Sequence, residues 1–185
     1  MDTMPELFNF SKHMRSIIGG ALKVHGFKSK GTSFIRENEK FVETIEFQRM
    51  RHHDENEWGF FIILLIKYKN NRGGASDFRL DYPTKITMPD YYKEFFLITE
   101  QQRPSYLDYF TGEQQNKISE FNKSREWYYH SEEELVSVLQ TAVDSLSIRG
   151  FHYFKSIEEL LELHLEWSEY VKERKKLIGE INVLS

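Results

Sequence analysis

The chain has 185 residues, with 15 Phe, 10 Tyr and 3 Trp, no Cys, and a formal net charge of −4. Its length suits one sizeable core, and four Pro and ten Gly leave little room for linkers or disorder. The absence of Cys excludes a disulfide framework, a thiolate nucleophile and Cys-based zinc sites, and it fits a reducing compartment.

Met1–Glu6 has neither the basic nor the apolar region of a signal peptide. The first helix is predicted from about Glu6 to His25, because Leu7, Phe10, Met14, Ile17, Ile18, Ala21 and Leu22 recur at helical spacing. Gly19-Gly20 falls on the opposite side of that helix, and Gly26 is the natural left-handed cap before Phe27. Ser33–Arg36 and Phe41–Met50 read as a hairpin, with Phe41, Ile45 and Phe47 on one face and Thr44, Glu46 and Gln48 on a wetter one. Arg51–Glu57 is a polar loop. Trp58–Tyr68 lacks alternation and is rich in Ile and Phe, which predicts a central strand buried on both faces, Ile63 included. Phe78, Leu80 and Tyr82 alternate with Asp77, Arg79 and Asp81, a half-exposed strand ended by Pro83. A four-stranded antiparallel meander is the simplest assembly.

Residues 84–129 are less regular, with eleven aromatics between Tyr91 and Tyr129. A short helix or strand near Tyr91–Ile98, an irregular connection and a strand at Arg125–Tyr129 are expected. Ser131 with Glu134 forms a capping-box signature for a helix through Leu135, Leu139, Ala142 and Leu146, closed by Gly150-Phe151. Ser156 with Glu159 signals a second start, for a helix through Leu160, Leu163, Trp167, Val171 and Ile178. The expected fold is a single α+β domain over residues 1–185. It has a mainly antiparallel sheet of four or five strands, with one N-terminal and two C-terminal helices covering one face.

The Gly26-Phe27-Lys28-Ser29-Lys30-Gly31 turn, the Phe34-Ile35-Arg36 strand and the Phe47-Gln48 strand end resemble the opening of a bacterial family known as domain of unknown function 4304. The strand near Trp127, the capped helix after it and Gly150-Phe151 are similar to how that family ends. The resemblance covers roughly residues 5–165. It differs at Glu46, where an amide often precedes Phe-Gln, and at Tyr128, where a second Trp is common. It implies no activity.

Charge is unevenly spread. Residues 1–75 carry 12 Lys/Arg against 9 Asp/Glu, whereas residues 120–170 carry 4 against 11. The acidic half repels phosphate backbones and disfavours nucleic acid as a partner. The longest apolar stretch, Phe60–Ile66, is seven residues, against roughly 20 for a membrane-spanning helix. A soluble, cytoplasmic protein without a membrane partner is expected.

No motif carries catalysis. His52-His53-Asp54 offers metal-capable side chains, but neighbouring His residues diverge and a surface loop is the simpler reading. His164 falls on the apolar face of the last predicted helix, where a core histidine is a commoner outcome than a general base. Acids at Glu132–Glu134 and Glu158-Glu159 suit helix starts. No nucleophile elbow or phosphate loop is present, and no cofactor or metal is called for.

The candidate ligand- or partner-binding residues are Arg36, Gln48, Arg49, Arg125 and Trp127, on or beside predicted strands, with Arg79 near them. Arg36 and Gln48 are expected on the same side of the hairpin, with Arg125 joining them. Fork donors beside flat aromatics suit carboxylate, phosphate or protein ligands. The plainer role for these arginines is cross-strand pairing with Glu43, Glu46, Asp77 or Asp81. The leading functional expectation is a non-catalytic interaction module, an immunity-type or regulatory protein whose partner is another protein. The alternative is a small enzyme with an Arg- and aromatic-lined cleft acting on an anionic small molecule.

Overall fold

A computed structural model of the chain describes residues 9–50, 58–69, 75–85, 88–97, 105 and 109–184. They fall into two compact units: the chain up to Asp81 together with Trp127 onward, and Tyr82–Glu126.

In the first unit, helix α1 (Phe10–Lys23) buries Phe10, Met14, Ile18 and Leu22, one side chain per turn. Its end follows the sequence expectation. The Phe27 N–H donates to the Leu22 carbonyl and the Gly26 N–H to that of Lys23, while Gly26 turns left-handed at φ 84°. Gly19 does not face away from the core. A Cβ there would lie 3.3 Å from the Phe34 ring, so its small size lets the helix approach the sheet.

Among the described residues the sheet has six antiparallel strands: β1 (Lys28–Lys30), β2 (Ser33–Glu37), β3 (Phe41–Arg49), β4 (Trp58–Tyr68), β5 (Ala75–Leu80) and β6 (Trp127–Tyr129). The expected meander is β2 to β5. Lys28–Lys30, read from sequence as part of a turn, is instead an edge strand joined to β2 through Gly31, φ 65°. Strand β4 is central. It pairs with β3 on one side, and on the other with β5 over Ile62–Lys67 and with β6 over Trp58–Phe60. The β6 crossing is tight, since a Cβ on Gly59 would lie 2.9 Å from the Tyr128 ring.

Burial along β4 alternates, correcting the expectation of a strand buried on both faces. Phe60, Ile62, Leu64 and Ile66 are sealed, whereas Phe61, Ile63 and Leu65 are only half-buried. The apolar run conceals this alternation because both faces use the same residue types. By register, the sealed side chains share one face with Phe34, Phe41, Ile45, Phe47, Phe78, Leu80 and Trp127. Helices pack on this core face. The Phe10 ring centroid lies 5.4 Å from that of Phe60, Tyr153 stacks on Phe78 at 5.0 Å, and the Tyr68 hydroxyl donates to the Leu161 carbonyl.

Helix α4 (Glu132–Ser145; α2, Asp90–Leu97, and α3, Gly112–Ser124, belong to the second unit) opens on Ser131, whose Oγ accepts the Glu134 N–H. The Glu134 carboxylate turns to the backbone N–H and ring of His130, which hold its carboxyl below the usual range. A π-helical turn, Leu146–Gly150, then runs directly into α5 (Phe151–Glu162). Gly150 therefore has φ −65° and is no left-handed cap, a correction to the sequence reading. Its missing side chain instead permits close packing, since a Cβ there would lie 3.1 Å from Leu146. Ser156–Glu159 lies inside α5 and starts no helix.

The chain breaks at Leu163-His164, with His164 at φ 48°, before α6 (Trp167–Asn182). The single last helix of the sequence reading is thus two. Leu163 and Trp167 are exposed, and His164 lies in an exposed turn rather than in the core. Helix α6 is pinned to β5: Arg174 donates to Ser76 Oγ and to the Asp77 carbonyl. The buried Tyr153 hydroxyl also donates to Ser76 Oγ, and burial pushes this phenol above its ordinary range.

The second unit contains α2 (Asp90–Leu97), close to the expected segment, and α3 (Gly112–Ser124), where the sequence reading had an irregular connection. A full capping box between Thr111 and Gln114 opens α3. Tyr92, Phe95, Phe110, Ile118 and Phe121 form the core of this unit. Among the described residues of the chain, no helix is long and apolar enough to cross a membrane.

Candidate functional site

The predicted site residues do not form one patch. Arg36 stands opposite Glu43 in the β2–β3 register, so it lies on the core face, whereas Gln48, five residues beyond Glu43, points to the other. This corrects the expectation that Arg36 and Gln48 share a side. Arg36 donates through Nε to the Glu43 carboxylate at 2.5 Å and through Nη1 to the His25 carbonyl at 3.1 Å. Its guanidinium sits 4.6 Å from the Phe27 ring centroid. Glu43 is 3 % exposed. The group is a part-buried ion pair, with Glu43 sealed and Arg36 about one third exposed, that joins the hairpin to the end of α1, so Arg36 takes the plainer role of cross-strand pairing.

Beside it, Asn38 donates to Glu158 of α5 at 2.5 Å. Burial holds the Glu158 carboxyl above its ordinary range, the Glu43 charge adds to this, and the Asn38 hydrogen bond opposes it.

Trp127 is fully buried. Its Nε1 donates to the Leu80 carbonyl at 2.8 Å and its ring stacks on Phe60, so it is core and offers no binding surface. Arg125 belongs to the second unit, where its guanidinium lies 5.1 Å from the Phe121 ring centroid. Arg49 is exposed at the end of β3, lies 4.8 Å from the Phe10 ring centroid and approaches Ser11 Oγ at 3.4 Å. With Lys12 and Arg15 it lines a basic recess of about 520 Å³ at the start of α1. His52, His53 and Asp54 lie outside the described residues. Among those described, no three His, Asp or Glu side chains group as a metal site.

Of the four that lie in the first unit, Gln48 alone is on the sheet face opposite the core. That face is less polar than β3 by itself suggests. Phe61, Ile63 and Leu65 run down its centre on β4, all half-buried. The register lines them up with polar neighbours: Gln48 beside Phe61, then Glu46–Ile63–Arg79 across β3, β4 and β5, then Thr44–Leu65–Asp77. Ile35 and Val42 extend the apolar area toward β2. Gln48, Asp77 and Arg79 are exposed. Arg79 lies 4.1 Å from the Phe61 ring centroid and 3.4 Å from an Asp81 carboxylate oxygen. The Glu46 side chain makes no hydrogen bond or ion pair among the described residues.

This arrangement, an apolar stripe with a polar flank on each side, can bury surface against another macromolecule and set its register by charge. Among the described residues it holds no nucleophile and no acid–base pair aimed at a cavity. Sequence reading missed Phe61, Ile63 and Leu65 because a continuous apolar run looks the same whether one face or both are sealed. The available signal was the wet face of β3: its partner side chains on β4 had to lie on that same face.

Residues 18–83 match the family model described as a domain of unknown function (DUF4304). The matched stretch runs from within α1 to just past β5, so it contains β1–β5 and with them the apolar stripe and its flanks. No curated protein and no solved structure matches the chain.

Proposed function

We propose that this chain is a binding module that receives a protein partner on the sheet face opposite its helices. One observation carries the reading: Phe61, Ile63 and Leu65 form an apolar stripe on a face whose flanking Gln48, Asp77 and Arg79 are exposed. Large apolar side chains in a row on an accessible sheet face, rimmed by charge, favour a macromolecular partner over a small solute. An immunity-type or regulatory role in the cytoplasm of a bacterial cell is part of this proposal, supported by the chain's modest length and acidic charge.

The test compares wild type with Leu65→Glu, which puts a charge in the stripe without touching the core face. Affinity capture with both baits should give a bound protein that the variant loses while its circular dichroism is unchanged. Identical partners for both baits would remove the face from consideration.

The basic recess favours a second reading, binding of a small anion. Its lining of Asn9, Phe10, Ser11, Lys12, Arg15, Ser16 and Arg49 has cations and hydroxyls but, among the described residues, no His or carboxylate to act as a base. It therefore supports binding more than turnover. Calorimetric titration with inorganic phosphate and pyrophosphate that gives no heat of binding would eliminate it.

A further inference from the structure

The sheet face is complementary to itself, and we propose that its partner is a second copy of this chain, packed face to face about a two-fold axis running along β4. The inference rests on the binding-face reading above and names the occupant.

A sheet can also associate by adding a strand, but β1 presents exposed Lys28 and Lys30, charges that discourage edge pairing. Association through the face has no such obstacle. Stacked sheets lie about 10 Å apart with their strands within about 30° of parallel. A two-fold axis in the plane between the sheets and parallel to β4 exchanges the positions of β3 and β5. Ile63 then faces Ile63 of the partner copy, and Leu65 faces its counterpart. The charges become complementary at the same time. Glu46, Ile63 and Arg79 occupy one row across β3, β4 and β5, so exchanging the outer strands brings each Glu46 over an Arg79 of the other copy.

The next row places each Thr44 over an Asp77, a hydroxyl donor over a carboxylate. The alternative axis, across the strands through Ile63, would stack Glu46 on Glu46 and Arg79 on Arg79. Like charges reject that arrangement. An isologous contact requires such self-complementarity, and the row supplies Glu46 with an opposite charge that it has nowhere among the described residues.

Sedimentation velocity on the full chain, over about 1–100 μM, tests the proposal. Wild type should sediment as a dimer, and Leu65→Glu as a monomer with unchanged circular dichroism. Glu46→Arg and Arg79→Glu, both on the solvent side of the sheet, should each raise the dimer dissociation constant on the order of tenfold. The double exchange should recover most of the loss, because it restores opposite charges across the axis. A wild-type monomer throughout would overturn self-association. If that monomer still captures a foreign protein that Leu65→Glu loses, the binding-face reading survives alone. A dimer indifferent to Leu65→Glu would overturn the proposal, and so would one indifferent to Glu46→Arg, since the axis along β4 requires that charge.

Discussion

Leu64 and Leu65 are adjacent on β4 and point to opposite faces, so truncating each to Ala separates the core face from the open one. Leu64 is fully buried, stands opposite Ile45 and Phe78 in the sheet register and lies beneath Gly150 of the π-helical turn. Tight packing on every side leaves little room to collapse after truncation, so Leu64→Ala should cost about 3–5 kcal/mol. Leu65 is already partly in water, which removes much of the transfer contribution and nearly all of the cavity contribution. Its truncation should cost about 1 kcal/mol. In a chain of this size each kcal/mol lowers Tm by about 2–4 °C. Leu64→Ala should therefore melt some 6–20 °C below wild type, and Leu65→Ala about 2–4 °C below. Near-ultraviolet circular dichroism in dilute solution, where chains are apart, reads both. Equal losses at the two positions would mean that the face bearing Leu65 is sealed within the chain, and the binding-face argument would fall with it.

Arg36→Ala should be strongly destabilising, by about 3 kcal/mol in urea titration, because it strands the buried Glu43 carboxylate; adding Glu43→Leu should recover most of this, and a harmless Arg36→Ala would show that the pair is not a structural lock. Glu158 has a folded-state pKa above its unfolded one, so its ionisation opposes folding at neutral pH and that penalty disappears as pH falls through the folded pKa. Glu158→Gln should accordingly raise Tm slightly at pH 7 and lose the advantage in acid, whereas a gain that persists at pH 3 would contradict the assignment.

Local rules in the sequence determined a good part of this molecule. Phe10, Met14, Ile18 and Leu22 specify α1 by spacing alone, and Gly26 specifies its end because a left-handed cap with a following Phe is a local interaction. The β2–β3 hairpin and the Ser131 cap are equally local, since the groups that satisfy one another lie within a few residues. The Thr111–Gln114 capping box is a local signal of the same kind, although the aromatic density before it masks the helix in the sequence pattern.

The tertiary structure decided what depends on partners distant in sequence. Ser156–Glu159 carries a helix-start signature, yet the backbone there is already helical, because the π-helical turn, packed through Gly150 against Leu64 of β4, carries α4 into α5. Arg36 looked like a surface fork donor until the β2–β3 register set it over Glu43 on the helix-covered side. Trp127 looked like a binding aromatic until pairing with β4 put it against Phe60. The open face is the same kind of outcome. A strand's sequence states which side chains alternate, but which side the helices cover is fixed only when α1, α5 and α6 pack onto the core face, and that choice leaves Phe61, Ile63 and Leu65 partly in water.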